Sequence, residues 1–480
     1  MGKLPDRRYI FSTGQIRSTY GGLTIAMMRR AKLFAENGNP VDITTIDWWL
    51  GYSELSEYWK SNGLMPEGVR IRNIHEDFSS FDSWPLESAI RNAEPSALII
   101  PHGFRMHEHP ADDGRKRYWY APGENKLHAF TEYLRSDGSV YMRTLSNPGA
   151  SEWGRPYRPV GIYDRDGVFR FGFPSHYHWW VFWAKKLISE DERPPFVIQD
   201  IEDEQFFSLW KSAGAASVQF VHLSHTKTNS RYGQLKDRWY SVLRRECPFR
   251  AVVIPTHWQA VEWRERFGDE TGIFVVPHFN INWPERLPAL AEREHRVLIV
   301  SRLVPEKRVD EAIRIFARAA NECTDAVLHI HGDGPERSKL EALVGEIGIS
   351  SQVVFHGHSP DGASEFSKAR AALFTSKAEG FGLTILEAMA NGAVPIAYNV
   401  RYGPSGMINS ANGYLVNDLD VEEAGKSLVE VLVRDDLATR LSDSAVKSAS
   451  SFTGENTLAA WREVVEASES WSSSSEWKMF

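Results

Sequence analysis

Two carboxylates and a glycine-bearing turn are the residues whose types and spacing point most directly to chemistry. Glu379 and Glu387 are eight positions apart, and Gly380 and Gly382 lie between them. Glycine lets the backbone approach a ligand closely, and the first N–H groups of a helix that follows would point into the same space. An anion is stabilised at such a helix start. The spacing predicts that Glu379 lies at the mouth of this turn and Glu387 deeper in the helix.

A helix must begin directly after the turn if these two carboxylates are to face one ligand. Leu383, Ile385, Leu386 and Met389 recur at helical spacing, and the next segment, NGAVPIAYNV, is typical of a turn into a buried strand. On spacing alone, a helix with a solvated glutamate at each end fits equally well. The following strand favours binding, because it places the helix in an α/β unit, where ligands bind at the carboxyl ends of strands.

Two cations are expected at the same edge of the predicted sheet. Arg302 and Lys307 follow the predicted strand HRVLIV, and Gly332 follows the next strand in HGDGP. Two cations beside a helix start form a natural diphosphate site. Solvated surface side chains are the alternative interpretation of the same residues.

Histidines and aspartates elsewhere raise the question of a metal. His222 and His225 lie at the end of a predicted strand, but no third ligand accompanies them, and core packing is the alternative. Asp164 and Asp166 form a D-x-D pattern, which could hold a metal ion. Because these aspartates lie at the tip of a predicted hairpin, turn chemistry accounts for them, and no metal is predicted.

Composition sets the broad class. The chain has 480 residues, of which 42% are hydrophobic and 25% charged, as in globular proteins of two or more domains. A net charge of −8 gives no support to a nucleic-acid surface. Cys247 and Cys323 are far apart, so neither a disulfide framework nor a zinc site is indicated, and a reducing cytoplasm fits. No signal peptide or membrane-spanning run is recognised, which predicts a soluble or at most peripheral protein.

The order of elements predicts two α/β domains with an insertion. A strand, a helix opened by Gly21 and Gly22 and a second strand form a βαβ beginning, and strict alternation of strands and helices after residue 290 predicts a parallel, doubly wound sheet. Alternating residues around Asp137-Gly138 and Asp166-Gly167 predict two hairpins between them. The predicted domains are 1–80 with 196–290, an inserted β-meander at 81–195, a second domain at 291–450, and a C-terminal helix crossing back with a loose tail at 451–480. Further helices are predicted at EQFFSLWKSAG, RYGQLKDRWYSVLRREC, HWQAVEWRERFG and ASEFSKARA.

The pattern Glu379, Gly380, Phe381, Gly382, an apolar run and Glu387 resembles the glutamate-x7-glutamate motif of the retaining glycosyltransferases of family 4. This resemblance implies the GT-B fold, in which two Rossmann-like domains face a cleft. It implies a donor that is a UDP-sugar and chemistry that requires no metal. The leaving diphosphate takes the acceptor proton on the same face, so electrostatic stabilisation of the leaving group carries most of the rate.

The same resemblance implies roles for individual residues. Arg302, Lys307 and the amides from Gly380 to Leu383, with Phe381 and Gly382 between them, would hold the diphosphate. Glu379 would bind the sugar and Glu387 the ribose of the nucleotide. His225 would orient sugar and acceptor, with His222 as a packing residue. Gly21, Gly22 and Gly332 would lie beside the donor.

A narrower likeness comes from GGLTIAMMRRAKLF, HWWVFWAKKL, YGPSGMI and NGYLV. These segments resemble bacterial wall teichoic acid glycosyltransferases, which transfer glucose or N-acetylglucosamine to polyol-phosphate polymers. The subgroup also includes transferases that add N-acetylglucosamine to serine or threonine of secreted proteins, so a protein acceptor is the alternative. The resemblance further implies self-association through the β-rich insertion and contact at the inner face of the membrane.

Overall fold

The structure of the protein is a computed structural model. It describes residues 3–16, 21–80, 95–109, 115–124, 126–146, 158–228, 230–240, 251–268, 272–281, 283–284, 286–359 and 362–473. The predicted loose tail beyond residue 473 lies outside these residues.

The β-strands follow one another in three groups along the chain. The strands are β1 (Tyr9–Ser12), β2 (Val41–Thr45), β3 (Val69–Asn73), β4 (Arg105–His107), β5 (Lys116–Tyr120), β6 (Phe130–Leu134), β7 (Val140–Leu145), β8 (Val160–Tyr163), β9 (Phe169–Phe173), β10 (Phe196–Gln199), β11 (Ser217–Phe220), β12 (Ala251–Ile254), β13 (Gly272–Val275), β14 (Arg296–Val300), β15 (Val327–His331), β16 (Val353–Gly357), β17 (Ala371–Phe374), β18 (Val394–Tyr398) and β19 (Tyr414–Val416).

The α-helices lie mostly between parallel strands. The helices are α1 (Gly22–Glu36), α2 (Tyr52–Ser61), α3 (Ile74–Ser79), α4 (His176–Ile188), α5 (Glu204–Phe207), α6 (Leu209–Ala213), α7 (His257–Phe267), α8 (Val309–Glu322), α9 (Arg337–Ile347), α10 (Leu383–Ala390), α11 (Pro404–Met407), α12 (Val421–Val433), α13 (Asp435–Ala449) and α14 (Gly454–Ser473). Among the described helices, none is both long and apolar enough to cross a membrane.

The chain forms two compact units. The smaller unit comprises Asp6–Thr19 and Phe34–Ser217, and the larger comprises Met1–Pro5, Tyr20–Leu33 and Val218–Phe480. In the smaller unit, β10, β1, β2 and β3 are parallel neighbours in this order, and β4 to β9 form an antiparallel meander. The two predicted hairpins are confirmed as β6–β7 and β8–β9, and Gly138 and Gly167 supply the positive φ angles that their turns require.

The larger unit contains the parallel, doubly wound sheet that alternation predicts. Its strand order is β16-β15-β14-β17-β18-β19, and every pair is parallel. The sequence of strands reverses direction across β14 and β17, which makes the gap between the loops after these strands a topological switch point, where α/β sheets bind ligands. The parallel strands β13, β12 and β11 belong to the same unit.

Helix α8 shows why this sheet holds its helices tightly. Ala312, Ile313, Phe316, Ala319 and Ala320 recur at three- and four-residue spacing and are all buried. They pack into one apolar cluster with strands β14 to β18 and with helix α12. A stripe of this kind fixes the helix on the sheet, so the loop that precedes it is held at the switch point.

Two helix predictions are wrong in detail. Residues 231–240 of the predicted helix RYGQLKDRWYSVLRREC form turns and a single 3₁₀ turn at Asp237–Trp239, and the remainder lies outside the described residues. Leu235 and Trp239 are buried and four residues apart, which imitates helical spacing. The backbone on either side of Leu235 instead pairs with residues 225–227, through Lys227 N–H to Gln234 O (2.8 Å) and Lys236 N–H to His225 O (3.0 Å). ASEFSKARA likewise forms a 3₁₀ helix, Gly362–Lys368.

Candidate active site

The loops after β14 and β17 are joined by one buried arginine. Arg308 donates from Nε to Thr375 O (2.9 Å) and from Nη2 to Ser376 O (3.0 Å) and Asp418 Oδ1 (2.5 Å). Thr375 returns a hydrogen bond from Oγ1 to Arg308 O (2.8 Å). Arg308 is in the left-handed region, at φ 45°, which costs energy for a non-glycine residue and is offset by these bonds. The resulting sharp bend places Lys307 next to the β17 loop.

Lys307 and Glu379 form an ion pair at this switch point. Lys307 Nζ lies 2.5 Å from Glu379 Oε1, and the two side chains are 25% and 18% exposed. The loop after β14 therefore presents a cation, already oriented by a carboxylate, to a ligand. Arg302, from the same loop, is exposed, and its side chain has no hydrogen bond or ion pair with the described residues. Both predicted cations follow β14, and of the two only Lys307 is paired with a described residue, while their contact with a diphosphate stays a prediction.

The backbone of Glu379 is fixed by the loop after β18. Glu379 N–H donates to Arg401 O (2.9 Å), and Gly403 N–H donates to Glu379 O (2.9 Å). A Cβ on Gly403 would stand 1.8 Å from Phe381 O, so the two loops touch through backbone alone. This packing leaves the Glu379 side chain as the one part of the residue that can turn toward a ligand.

The glycines in the turn from Gly380 to Leu383 are required by the protein's own backbone, and their predicted approach to a ligand stays a prediction. A Cβ on Gly380 would lie 1.8 Å from His222 O, and Gly382 has φ 90° at the position before α10. Phe381 is buried, with its ring 5.1 Å from that of His278 in an edge-on contact. Leu383 then begins α10. The turn is thus pressed against the strand end that carries His222.

Glu387 is a buried carboxylate in an apolar helix. It is the one charged residue in the sequence of α10, LTILEAMA, and is 6% exposed. Arg29 of α1 donates from Nη2 to Glu387 Oε1 at 2.5 Å, with both side chains less than a tenth exposed. Removing one partner of such a buried pair costs about 3–5 kcal/mol, because it leaves a charge without compensation. The predicted depth of Glu387, one turn inside the helix, is correct.

His225 lies in an aromatic shell rather than on a surface. It is 0% exposed, its ring faces Trp263 and Phe267 edge-on, and it stacks on Tyr402. Its Nδ1 lies 3.4 Å from the Tyr402 hydroxyl, and its Nε2 is buried without a hydrogen bond. Burial, followed by the nearby charges of Arg266 and other cations, lowers the pKa of His225 to about 4. A sugar-orienting role for His225 stays a prediction, since in this structure the side chain has no exposed surface.

A second ion pair anchors the same loop. Glu262, buried in α7, accepts from Arg401 Nε at 2.9 Å and from Trp258 Nε1 at 3.1 Å. The Arg401 guanidinium also lies 5.1 Å from the Trp258 ring centre. The loop after β18 is therefore tied to α7 by a side chain and to Glu379 by its backbone.

The remaining predicted glycines differ in what surrounds them. Gly21 and Gly22 begin α1, and a Cβ on either would meet nothing within 4 Å. Gly332, at φ 146°, packs against the loop after β14, and a Cβ there would stand 1.8 Å from Ser301 O. Packing against Ser301 therefore explains why residue 332 is glycine. The predicted contact with the donor is not needed for that explanation. For Gly21 and Gly22 the described protein gives no packing reason for glycine.

The D-x-D pattern is explained by its turn. Asp164 accepts from Val168 N–H (2.8 Å), Asp166 N–H (3.0 Å) and Arg170 Nε (2.7 Å). The Val168 hydrogen bond is the main cause that lowers the pKa of Asp164. No group of three or more His, Cys, Asp or Glu residues suited to a metal ion is present in the part of the chain that the structure describes.

Several residues of the site gave no sequence signal. Arg29 stands in an Arg-Arg pair on an amphipathic helix, and nothing in that pattern separates it from its neighbour. Arg308 follows Lys307 directly and reads as one more cation of the loop. Tyr402 and Glu262 belong to segments that the sequence assigns only to a loop and a helix. Each acts through a contact with a residue distant in sequence, which spacing does not reveal.

The sequence of this chain is similar to those of known proteins. Residues 285–448 match the family model described as glycosyl transferases group 1. The chain is 24% identical to the poly(glycerol-phosphate) alpha-glucosyltransferase of Bacillus subtilis over 96% of this chain and 75% of that protein. It is 23% identical to the poly(ribitol-phosphate) alpha-N-acetylglucosaminyltransferase of Staphylococcus aureus over 88% and 92%.

The fold agrees with these matches. A crystal structure of Staphylococcus aureus TarM with fondaparinux, alpha-GlcNAc-glycerol and UDP superimposes with a TM-score of 0.70 at 19% identity, over 95% of this chain and 99% of that one. The protein therefore has the GT-B fold, and the family model and both relatives that it matches are glycosyltransferases. The residues that match the group 1 glycosyltransferase model, 285–448, include Arg302, Lys307, Glu379 and Glu387.

Gly380→Ala tests the close backbone contact in the site. A methyl group would collide with His222 O, which is backbone and cannot rotate away, so the turn must shift. Because a displacement of about 1 Å can cost about 100-fold in rate, we expect the variant to lose about 100-fold in sugar-transfer activity. Gly345→Ala is the matched control, since Gly345 lies exposed in α9 with nothing near its Cβ. Equal activity of the two variants would contradict the contact.

The pH dependence of stability tests the buried state of His225. The folded pKa of about 4 lies below the usual value of 6.5, so the unfolded chain binds more protons between these pH values and stability falls as the pH drops from about 6.5 to 4. His225→Phe should reduce this loss by up to about 1.4 kcal/mol per pH unit. Urea unfolding at several pH values measures it, and the pH dependence above 6.5 should be the same in both proteins. Parallel curves throughout would show that His225 titrates normally.

Proposed function

We propose that the protein is a retaining glycosyltransferase that moves a hexose or N-acetylhexosamine, glucose or N-acetylglucosamine, from a UDP-sugar to a polyol-phosphate polymer of the teichoic acid type. The observation that carries this proposal is the switch-point site of the larger unit. There Lys307, held by Glu379, meets the turn into α10, and Glu387 lies one turn further in the same helix. The names of the two relatives, a poly(glycerol-phosphate) glucosyltransferase and a poly(ribitol-phosphate) N-acetylglucosaminyltransferase, support the acceptor class.

The chemistry assigned to this site is a same-face substitution. The bond between sugar C1 and the phosphate oxygen of the donor breaks, and the electron pair leaves with UDP. The acceptor hydroxyl attacks the face from which UDP departs, its proton passes to the leaving phosphate oxygen, and the products are UDP and an α-linked glycoside. No protein base is needed at the opposite face, so the main task of the protein is to stabilise the charge that develops on the diphosphate.

Lys307 and Arg302 suit that task in different ways. Lys307 is oriented before any ligand arrives, which removes part of the cost of reorganisation during the reaction. Arg302 is exposed and can turn toward the outer phosphate, where its planar fork can form two parallel hydrogen bonds. Glu379 would contact the sugar hydroxyls and Glu387 the ribose. We propose no resident metal, because these two cations supply the positive charge at the leaving group.

The proposal extends to location and assembly. It places the protein in the cytoplasm, where the two widely separated cysteines stay reduced, with contact at the inner face of the membrane. The antiparallel meander β4 to β9 is proposed as the surface of self-association. Transfer to serine or threonine of a secreted protein is the competing acceptor hypothesis.

A panel of donors and acceptors tests the proposed function. The protein is incubated with UDP-glucose, UDP-N-acetylglucosamine or the corresponding GDP-sugars, each with glycerol-phosphate polymer, ribitol-phosphate polymer or a serine-rich polypeptide, and nucleotide release is measured with and without EDTA. We expect release with one UDP-sugar and one polyol-phosphate polymer, unchanged by EDTA, and an α-linkage by NMR. Release only with polypeptide would favour the alternative, and a β-linked product would exclude retention.

Substitutions at the ion pair test the assigned site. We expect Lys307→Ala and Glu379→Ala to reduce kcat by at least about 100-fold, because each removes a charge placed at the reacting groups. Lys339→Ala is the matched control, since Lys339 is exposed on α9 and pairs with nearby Glu336, away from the site. Melting temperatures establish that the variants remain folded. Near-normal rates in both site variants would show that the donor binds elsewhere.

A further inference from the structure

Arg29 is bound to the predicted nucleotide site but lies outside the group 1 glycosyltransferase region. It belongs to α1 and pairs with Glu387 across 358 positions of sequence, within the same compact unit. Arg29, Ala26 and Leu383, the first residue of α10, line one narrow cavity. The start of α10 and the second turn of α1 therefore border the same space.

The hydrogen bonds of Arg29 are incomplete in a way that indicates a ligand. Its side chain is nine-tenths buried, and Nη2 donates to Glu387 Oε1. Nε and Nη1 are buried and have no hydrogen-bond partner among the described residues. A buried donor without a partner destabilises the folded protein, and a charged donor does so more strongly. Two such donors point to different sides of one guanidinium, so Arg29 can still donate hydrogen bonds to ligand oxygens.

The contact with Arg29 occupies one of the two carboxylate oxygens of Glu387. Arg29 binds Oε1, and Oε2 has no partner among the described residues, while the side chain retains 8% exposure. A carboxylate fixed through one oxygen cannot rotate, so the direction of the other oxygen is set by Arg29. The pair cannot be explained by stability alone, because a buried ion pair contributes little more than a well-packed apolar pair of the same size.

We propose that Arg29 is a positioning residue for nucleotide recognition, which aims Glu387 Oε2 at a ribose hydroxyl and completes its own hydrogen bonds with an oxygen of the bound UDP. This inference rests on the proposed function. It makes α1 part of the donor site and assigns ribose selectivity to a pair of residues rather than to Glu387 alone. Arg29 acts on the ribose through Glu387, so the loss of either residue removes the same selectivity.

Binding of UDP, 2′-deoxy-UDP and 3′-deoxy-UDP by calorimetry tests the pair. A hydrogen bond to a charged group is worth about 1.5–3 kcal/mol, so we expect wild-type protein to bind UDP about 10- to 100-fold more tightly than one of the deoxy analogues. Arg29→Met and Glu387→Gln should both reduce that preference to about threefold or less, and the double variant should reduce it no further. Arg29→Lys should keep part of it, because it retains the charge but not the planar fork.

Arg314→Met is the matched control, since Arg314 is exposed on α8 and should keep wild-type selectivity. If Arg29→Met weakens all three nucleotides equally and keeps the wild-type preference, Arg29 has only a structural role and the inference is wrong. Should Arg29→Met fail to fold, Arg29→Lys and Glu387→Gln decide by the same ratio of affinities. Failure of the wild-type protein to bind UDP would instead refute the proposed function.

Discussion

The site depends on one constraint, which is that neighbouring loops must touch through backbone atoms with no side chain between them. Gly380 lies against the carbonyl of His222, Gly403 against that of Phe381, and Gly332 against that of Ser301. The first two contacts join the loops after β17 and β18 and the end of β11, and the third joins the loops after β14 and β15. The backbone of Glu379 is held between these loops, and the hydrogen bonds of Arg308 hold the neighbouring Lys307 beside it.

Charges in the site are arranged in layers. Arg308 and Glu262 are buried and hold loops in place, through Thr375 in one case and Arg401 in the other. Lys307 and Glu379 lie further out, partly exposed, where a ligand can reach them. The inner charges have partners on the loops, so their cost of burial is met by several hydrogen bonds each. The outer pair, Lys307 and Glu379, remains available to a ligand. A preorganised site requires both kinds of charge, those that fix the loops and those that meet the ligand.

The sequence predicted the elements that form from contacts between residues near one another in the chain. It predicted less well the features that depend on contacts between distant residues. Strands β14 to β18 and the helices between them follow from short apolar runs and amphipathic periodicity, and both hairpins follow from Asp-Gly turns. The segment 231–240 misled because Leu235 and Trp239 have helical spacing yet serve a loop that pairs with residues 225–227. Glu379, Glu387 and Lys307 were found from a motif. Arg29, Arg308 and Tyr402 were not, because their partners are far away in the chain. The aromatic shell of His225 was hidden for the same reason, since Trp263, Phe267 and Tyr402 come from two other segments.

The glycines whose missing Cβ would strike a carbonyl have a further consequence for how such a protein can diverge. At Gly332, Gly380 and Gly403 every other amino acid carries the same obstructing carbon, so any substitution there must displace a neighbouring loop. Arg314, by contrast, is exposed on α8, and many replacements there leave the architecture untouched. Related proteins can therefore diverge far in sequence and acquire new substrates through changes at exposed positions. The three glycines must stay glycine, because the space beside each holds a hydrogen atom and no carbon.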